Sequence, residues 1–255
     1  MRTAAVIPAY QSQETIAHVV RSLLSRWPHD PEAKPVIVID DGSTDGTAKR
    51  AESAGAFVVS HARNRGKGAA LRTGLRVARD LGWDAIVSVD ADGQHPADEA
   101  WRLAEFPCDA RAVVLGVRNL QSAGAPRANQ ISNRISNFFL SVFTGRVLAD
   151  TQCGLRRYPV REAMALDPRD DGYGFEAEVI LLALKAGLPV VEVPVRVLYG
   201  PDRTSHFHVV KDPARIVARV LITMGRQTPG LMRIAEADPL GDVLRGGRGS
   251  GSNAS

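Results

Sequence analysis

Over the first 120 residues, short β-branched runs alternate with longer segments whose apolar positions recur at helical spacing. Ala4 to Ile7 is predicted as a strand ended by Pro8, and Ile16, Val19, Val20, Leu23 and Leu24 then share one face of a helix. Val36 to Ile39 is a nearly continuous apolar strand, followed by the turn-rich DDGSTDGT of residues 40 to 47 and a short helix. Phe57 to Ser60 is a third strand, Gly66 to Leu81 a long helix, and Ala85 to Val89 a fourth strand that runs straight into Asp90. Strand and helix in alternation imply a mostly parallel sheet covered on both faces. Ligands bind such a sheet at the carboxyl ends of its strands. The residues there are polar: Pro8-Ala9-Tyr10, Asp40-Asp41-Gly42-Ser43 and Asp90-Ala91-Asp92-Gly93-Gln94.

Further along, Val113 to Val117 and Val190 to Val197 read as strands and Val179 to Ala186 as a helix. Ile135 to Gly145 contains Phe138, Phe139, Leu140, Val142 and Phe143. Core packing of a helix is the first expectation for it, and a membrane-facing role the second. Asp212-Pro213 opens a helix, aspartate as cap and proline in the first turn. Its apolar residues Ile216, Val217, Val220, Leu221 and Met224 are flanked by Arg215, Arg219 and Arg226. Such a basic amphipathic helix packs on its own domain or lies on an anionic bilayer. The apolar pattern fades beyond Arg233, so residues 231 to 255 are expected to be a disordered tail behind a single domain, residues 1 to 230.

Composition sharpens this picture at one place. The 255 residues carry a net charge of +4, yet from Arg111 to Arg161 eight arginines face a single acid, Asp150. Such a concentration must meet solvent, an anion or nearby carboxylates, because an unpaired buried charge is costly. Nucleic acid, a phosphorylated molecule and an anionic membrane are the candidate partners, beside a merely solvated face. The longest stretches without Asp, Glu, Lys or Arg are 11 residues, Thr3 to Gln13 and Ile135 to Gly145. A transmembrane helix needs about 20 apolar residues, so no spanning segment is expected. The N-terminus does not read as a signal peptide, its apolar core being short and broken by Pro8. Cys108 and Cys153 form no CxxC or Cys/His pattern, and a reducing cytoplasm is the default compartment.

Asp90-Ala91-Asp92 at a strand end is the most telling local feature. Two carboxylates splayed by a turn can hold a hard divalent cation, with a diphosphate supplying further oxygens. Alone the triplet is weak. It is accompanied, in order, by VIPAYQ, VIDDGSTDGT, NRGKGAALRTGL, VSVDADGQHP, ADTQCGLRRY and GYGFEAEV. The set resembles the family 2 glycosyltransferases of the GT-A fold, over about residues 3 to 225. Within them it is most similar to the dolichyl-phosphate and polyprenyl-phosphate mannosyl- and glucosyltransferases, and DADGQHP and VEVPVRV point to that branch.

The resemblance implies an inverting, metal-dependent transfer of a hexose from a GDP-mannose or UDP-glucose type of donor to a lipid phosphate at the cytoplasmic membrane face. It implies that Pro8 and Tyr10 line the nucleotide pocket and that Ile39 and Asp41 contact base and ribose. Asp90, Ala91, Asp92 and Gln94 would surround Mg²⁺ or Mn²⁺ and the diphosphate, with Asp90, Asp92 and Gln94 as metal ligands. Arg118 would read the donor, and Arg127 and Arg134 the acceptor phosphate, which a planar guanidinium can grip at two points. Two departures stand out. Ser12 replaces an acid common after the tyrosine, leaving Glu14 as the alternative source of a donor contact. Arg203, Ser205 and His206 occupy the place of an RxxGxSK motif, Arg203 facing the donor, Ser205 and His206 the acceptor phosphate, and His206 replacing the motif's lysine.

An acceptor phosphate is already ionised and needs no general base, whereas a hydroxyl acceptor does. Glu176 falls where relatives acting on sugar hydroxyls place their base, which keeps transfer to a saccharide hydroxyl open as the alternative; orienting an arginine is its other expected role. A nucleic-acid-binding protein would explain the arginines but lacks a recognised motif. A Rossmann dehydrogenase fares worse, since no GxGxxG follows the first strand.

Overall fold

The computed structural model describes residues 1–28, 33–121, 124–125, 127–198 and 222–223. The elements run β1 (Thr3–Ala9), α1 (Ile16–Leu24), β2 (Val36–Asp40), α2 (Thr47–Ser53), β3 (Phe57–Ser60), α3 (Lys67–Asp80) and β4 (Ala85–Ser88). There follow α4 (Ala97–Ala104), β5 (Val113–Arg118), α5 (Arg127–Thr144), β6 (Arg156–Pro159), α6 (Val160–Ala165), α7 (Gly174–Lys185) and β7 (Val190–Val195). Arg203, Ser205, His206, the helix start at Asp212-Pro213 and the expected tail lie outside the described residues.

One seven-stranded sheet has the order β3-β2-β1-β4-β6-β5-β7. All its neighbours are parallel except β6, which is antiparallel to both β4 and β5. Apolar strands buried on both faces require helices on both. One core gathers Leu71 and Leu75 of α3, Ala163 of α6 and Phe175, Ile180 and Leu181 of α7; the other gathers Val20 and Leu23 of α1 and Leu103 of α4. The doubly covered α/β sheet expected from the alternation is the fold observed.

Three local expectations need correction. Pro8 does not end β1: it lies within it, in register with Ile39. Ala5 donates to Pro35 on the β2 side, and Val6 accepts from Val89 on the β4 side, so the N–H that Pro8 lacks would face β4 beyond its end. No ladder bond is lost there.

The short strand β6, RRYP, had no apolar alternation to announce it, yet all four residues are buried. Arg156 donates to the carbonyls of Thr151, Cys153 and Glu176 at 2.7, 2.7 and 2.8 Å. Arg157 donates to Leu103, Ala104 and Phe106, capping the carbonyl end of α4, where a cation is favoured. These two arginines are therefore interior struts and not part of a solvated basic face.

The phenylalanine-rich segment belongs to α5 and is only half a core helix. Leu140 is fully buried, but Phe138 and Val142 are 63% and 59% exposed. Ile131 and Ile135 continue the same outward stripe at helical spacing.

Candidate active site

Three strand ends and the chain entering β6 converge at one edge of the sheet. The turn after β2 is built by its own polar residues. Ser43 accepts from Gln11 N at 3.0 Å, Thr47 from Ser12 N at 2.8 Å and Asp45 from Gln13 N at 3.2 Å, while Gly46 N donates to Gln13 at 3.0 Å. The loop after β1 is thus fastened to DDGSTDGT, and Tyr10 projects from it, 46% exposed. Thr15 in turn donates to the Ala91 carbonyl at 2.6 Å, joining this loop to the acidic one.

Asp41 is buried, and its carboxylate is fully engaged. It accepts from Arg65 N at 3.0 and 3.1 Å and Gly66 N at 2.7 Å, and meets His61 Nδ1 at 2.6 Å. Gly66 has φ +99, and a side chain there would strike the Asp171 backbone, so only glycine lets α3 start where Asp41 holds it. Ile39 is fully buried in the core, which leaves its side chain no surface to offer a base. The geometry gives Ile39 and the Asp41 carboxylate architectural work instead of an open pocket wall.

Asp90, Asp92 and Gln94 occupy the loop after β4. Gln94 N donates to Asp92 Oδ1 at 2.8 Å, a tight turn that fixes the second carboxylate relative to the amide. The Asp90 carboxylate fits against Gly154, where any Cβ would collide with it. Lys67, from the first turn of α3, stands 2.6 Å from Asp90 Oδ1 and 2.9 Å from Glu176 Oε1. Burial opposes charge on both members of the Lys67–Asp90 pair. The attraction outweighs it, holding Lys67 above its ordinary pKa and Asp90, also drawn by His95 and Arg118, below its own. Glu176, in the first turn of α7, is buried; its carboxylate meets Lys67 and only its carbonyl meets an arginine, Arg156.

Two aspartate carboxylates and a glutamine amide are hard oxygen donors of the kind Mg²⁺ and Mn²⁺ take. No group of three or more His, Cys, Asp or Glu gathers among the described residues, so a cation held here would draw further oxygens from its ligand.

Arg118 ends β5 and is paired with Asp150, at 2.7 Å from Nε and 3.1 Å from Nη2. Beside it opens a cleft of about 550 Å³ lined among others by Arg102, Arg118, Asn133, Arg134, Asn137 and Arg196. Arg118 and Arg134 are thereby brought to one cavity, whereas Arg127 sits exposed at the start of α5 and does not line it. Lys67, His95 and Asp150 are the site's residues that motif reading did not single out. Lys67 lay inside the GKG segment, and Asp150 was the lone acid of the arginine-rich stretch.

The doubly covered sheet thus carries an acidic loop after its fourth strand and arginines at the end of its fifth and in the cleft beside it. The glycosyl transferase family 2 model matches residues 4–162, and the chain belongs to that family and is a glycosyltransferase. UDP-N-acetylglucosamine–dolichyl-phosphate N-acetylglucosaminyltransferase of Methanococcus voltae is 28% identical over 217 residues, covering 76% of this chain and 84% of its own length. Undecaprenyl-phosphate mannosyltransferase of Micrococcus luteus is 28% identical over 206 residues, covering 76% of this chain and 83% of its own. Glucosyl-3-phosphoglycerate synthase of Mycobacterium tuberculosis, solved with Mn²⁺, UDP and phosphoglyceric acid, matches with TM-score 0.67 at 19% identity, over 89% of this chain and 80% of that one. This last likeness establishes the GT-A type of fold. No helix among the described residues is long and apolar enough to cross a membrane.

Proposed function

We propose that this glycosyltransferase moves a hexose, with inversion, from a nucleoside diphosphate sugar to a polyprenyl or dolichyl phosphate at the cytoplasmic membrane surface. The observation that carries the reading is the arginine-lined cleft at Arg118, whose charge acts on Asp90 of the acidic loop, with α5 forming part of its wall. Asn133, Arg134 and Asn137 of α5 face the cleft, while Ile131, Ile135, Phe138 and Val142 point outward. Residues 127 to 149 include three arginines and no acid. An apolar stripe edged only by positive charge complements an anionic bilayer. A lipid phosphate could then reach the cleft without leaving the membrane. The relatives named for dolichyl and undecaprenyl phosphate support the same acceptor class.

In this reading Asp90, Asp92 and Gln94 would hold Mg²⁺ or Mn²⁺ against the donor diphosphate, and the ion would supply charge stabilisation to the departing nucleotide. Tyr10 and Pro8 bound the nucleotide, Arg118 is held by Asp150 towards the phosphates, and Arg134, with Arg127 nearby, orients the acceptor. The ionised acceptor oxygen attacks the anomeric carbon as the bond to the diphosphate breaks, and the leaving charge falls where Arg118 can meet it. Engagement of Glu176 by Lys67 favours this over transfer to a saccharide hydroxyl, for which Glu176 would be the base.

A thermal-shift panel of GDP, UDP and their sugar conjugates with Mn²⁺ tests the donor, since a ligand that binds only the native state raises its melting temperature. At least one pair is expected to do so, and radiolabelled sugar from that donor is expected in polyprenyl phosphate. The absence of any shift, or label passing only to free saccharides, would reject the reading.

A further inference from the structure

The part of the cleft wall supplied by α5 is a stripe of Gln130, Asn133, Arg134 and Asn137, spaced as one face of a helix. Three of the four are carboxamides, and two of these serve the fold. Gln130 Nε2 donates to the Ala125 carbonyl at 2.9 Å. Asn137 is engaged at both ends: its oxygen accepts from Thr151 N and Oγ1, each at 2.8 Å, and its Nδ2 donates to the Ala149 carbonyl. Asn133 differs. It lines the cleft, is only 5% exposed, and its Oδ1 is buried with no hydrogen-bond partner among the described residues. Folded proteins rarely leave a buried polar atom in that state, and an apolar side chain of the same size would avoid the cost.

What the cleft has to hold identifies the missing partner. Arg118 and Arg134 are suited to phosphates, one on the donor and one on the acceptor. In a transfer with inversion the attacking and leaving oxygens stand on opposite faces of the anomeric carbon, so the hexose lies between the two phosphates. An ionised phosphate offers acceptors only. A sugar hydroxyl both donates and accepts, and so matches either end of a carboxamide.

We infer that Asn133 is a specificity-determining residue of the transfer, its carboxamide hydrogen-bonded to a hydroxyl of the hexose as it passes between donor and acceptor. This rests on the reading of donor and acceptor above. A site that needs a ligand to pair its buried amide discriminates against a sugar lacking that hydroxyl, because the amide is then left alone again.

Asn133→Leu keeps the bulk and removes both hydrogen-bonding ends, and Asn133→Ala removes the bulk as well. Calorimetric titrations with Mn²⁺ compare UDP with UDP-glucose, and GDP with GDP-mannose, in wild type and both variants. For the pair that wild type binds, the variants are expected to bind the nucleoside diphosphate within about twofold of wild type. They should bind the nucleotide sugar about fivefold or more weakly, the loss of one neutral hydrogen bond. One monodeoxy form of that sugar should weaken wild type to the same extent and N133L no further. Unligated N133L should melt no lower than wild type, and if N133A fails to fold, N133L decides. An unchanged ratio of sugar to nucleotide affinity in N133L overturns the inference, as does a change confined to the KM for polyprenyl phosphate, which would move Asn133 to the acceptor. Failure of both variants to fold would assign the amide to the fold and overturn it too. A wild type that binds neither nucleotide sugar defeats the donor reading itself, and the role of Asn133 with it.

Discussion

Asp150 grips the Nε–Nη2 edge of the Arg118 guanidinium with both carboxylate oxygens, and its Oδ2 also accepts from the Arg118 main-chain N–H at 3.1 Å. Asp150 has no exposed surface, so it fixes the arginine without being available to a ligand. Asp150→Asn keeps the size and loses the charge. Transfer is expected to fall about tenfold or more, and Arg118→Lys to fall comparably, since an ammonium cannot reproduce the fork. Steady-state kinetics with circular dichroism on both variants checks this; full activity in either would remove Arg118 from the phosphate-handling role.

Asp92→Asn is expected to abolish metal-dependent transfer while the melting temperature of the unligated protein stays near wild type. Its carboxylate also accepts a bond from Gln94 N, which an amide oxygen can still accept. Mn²⁺ binding followed by electron paramagnetic resonance should be lost in parallel, and wild-type turnover would sink the metal assignment.

Glu176→Gln distinguishes the acceptors. With a lipid phosphate no base is required, and transfer should stay within about an order of magnitude of wild type. A drop of several hundredfold in a folded protein, in the sense of a lost general base, would transfer the assignment to a hydroxyl acceptor.

Phe138→Asp and Ile135→Asp alter exposed positions and should fold normally. Cosedimentation with phosphatidylglycerol vesicles is expected to weaken about tenfold for each, given the apolar area withdrawn from the bilayer. Neutral phosphatidylcholine vesicles should bind wild type poorly. Unchanged sedimentation of both variants would move the membrane face elsewhere.

Cys153 is buried, which pushes its thiol from 9.0 up to about 12. A raised folded-state value means the native chain keeps its proton after the unfolded chain has released its own. Stability from this group is thus full below pH 9 and declines as pH rises towards 12. Cys153→Ala should flatten that alkaline decline. Ellman's reagent at pH 8 should find Cys153 unreactive until the protein unfolds.

Much of this was legible beforehand where periodicity and chemistry coincide. The first four strands have apolar runs, and Asp90 and Asp92 stand directly behind one of them. β6 was not legible, because its interior side chains are arginines whose partners are carbonyls of residues distant in sequence, such as Phe106 and Glu176. The split character of α5 was hidden for a related reason: Phe138 and Phe139 are adjacent, and which of the segment's apolar residues turn inward is set by the packing of the helix, which buries Leu140 and leaves Phe138 outside. Lys67 looked like one residue of a glycine-rich helix start. Its two carboxylate partners lie on β4's loop and on α7, a convergence that no local window contains.

The reversed direction of β6 has a consequence for how chain is spent. A parallel strand delivers residues to the ligand edge only as it leaves the sheet, so each contributes a single outgoing loop there. β6 instead enters the sheet at that edge, and the five residues from Asp150 to Gly154 arrive on an incoming segment. The clamp on Arg118 and the glycine beside Asp90 therefore reach the site together, without lengthening any of the loops that follow the parallel strands.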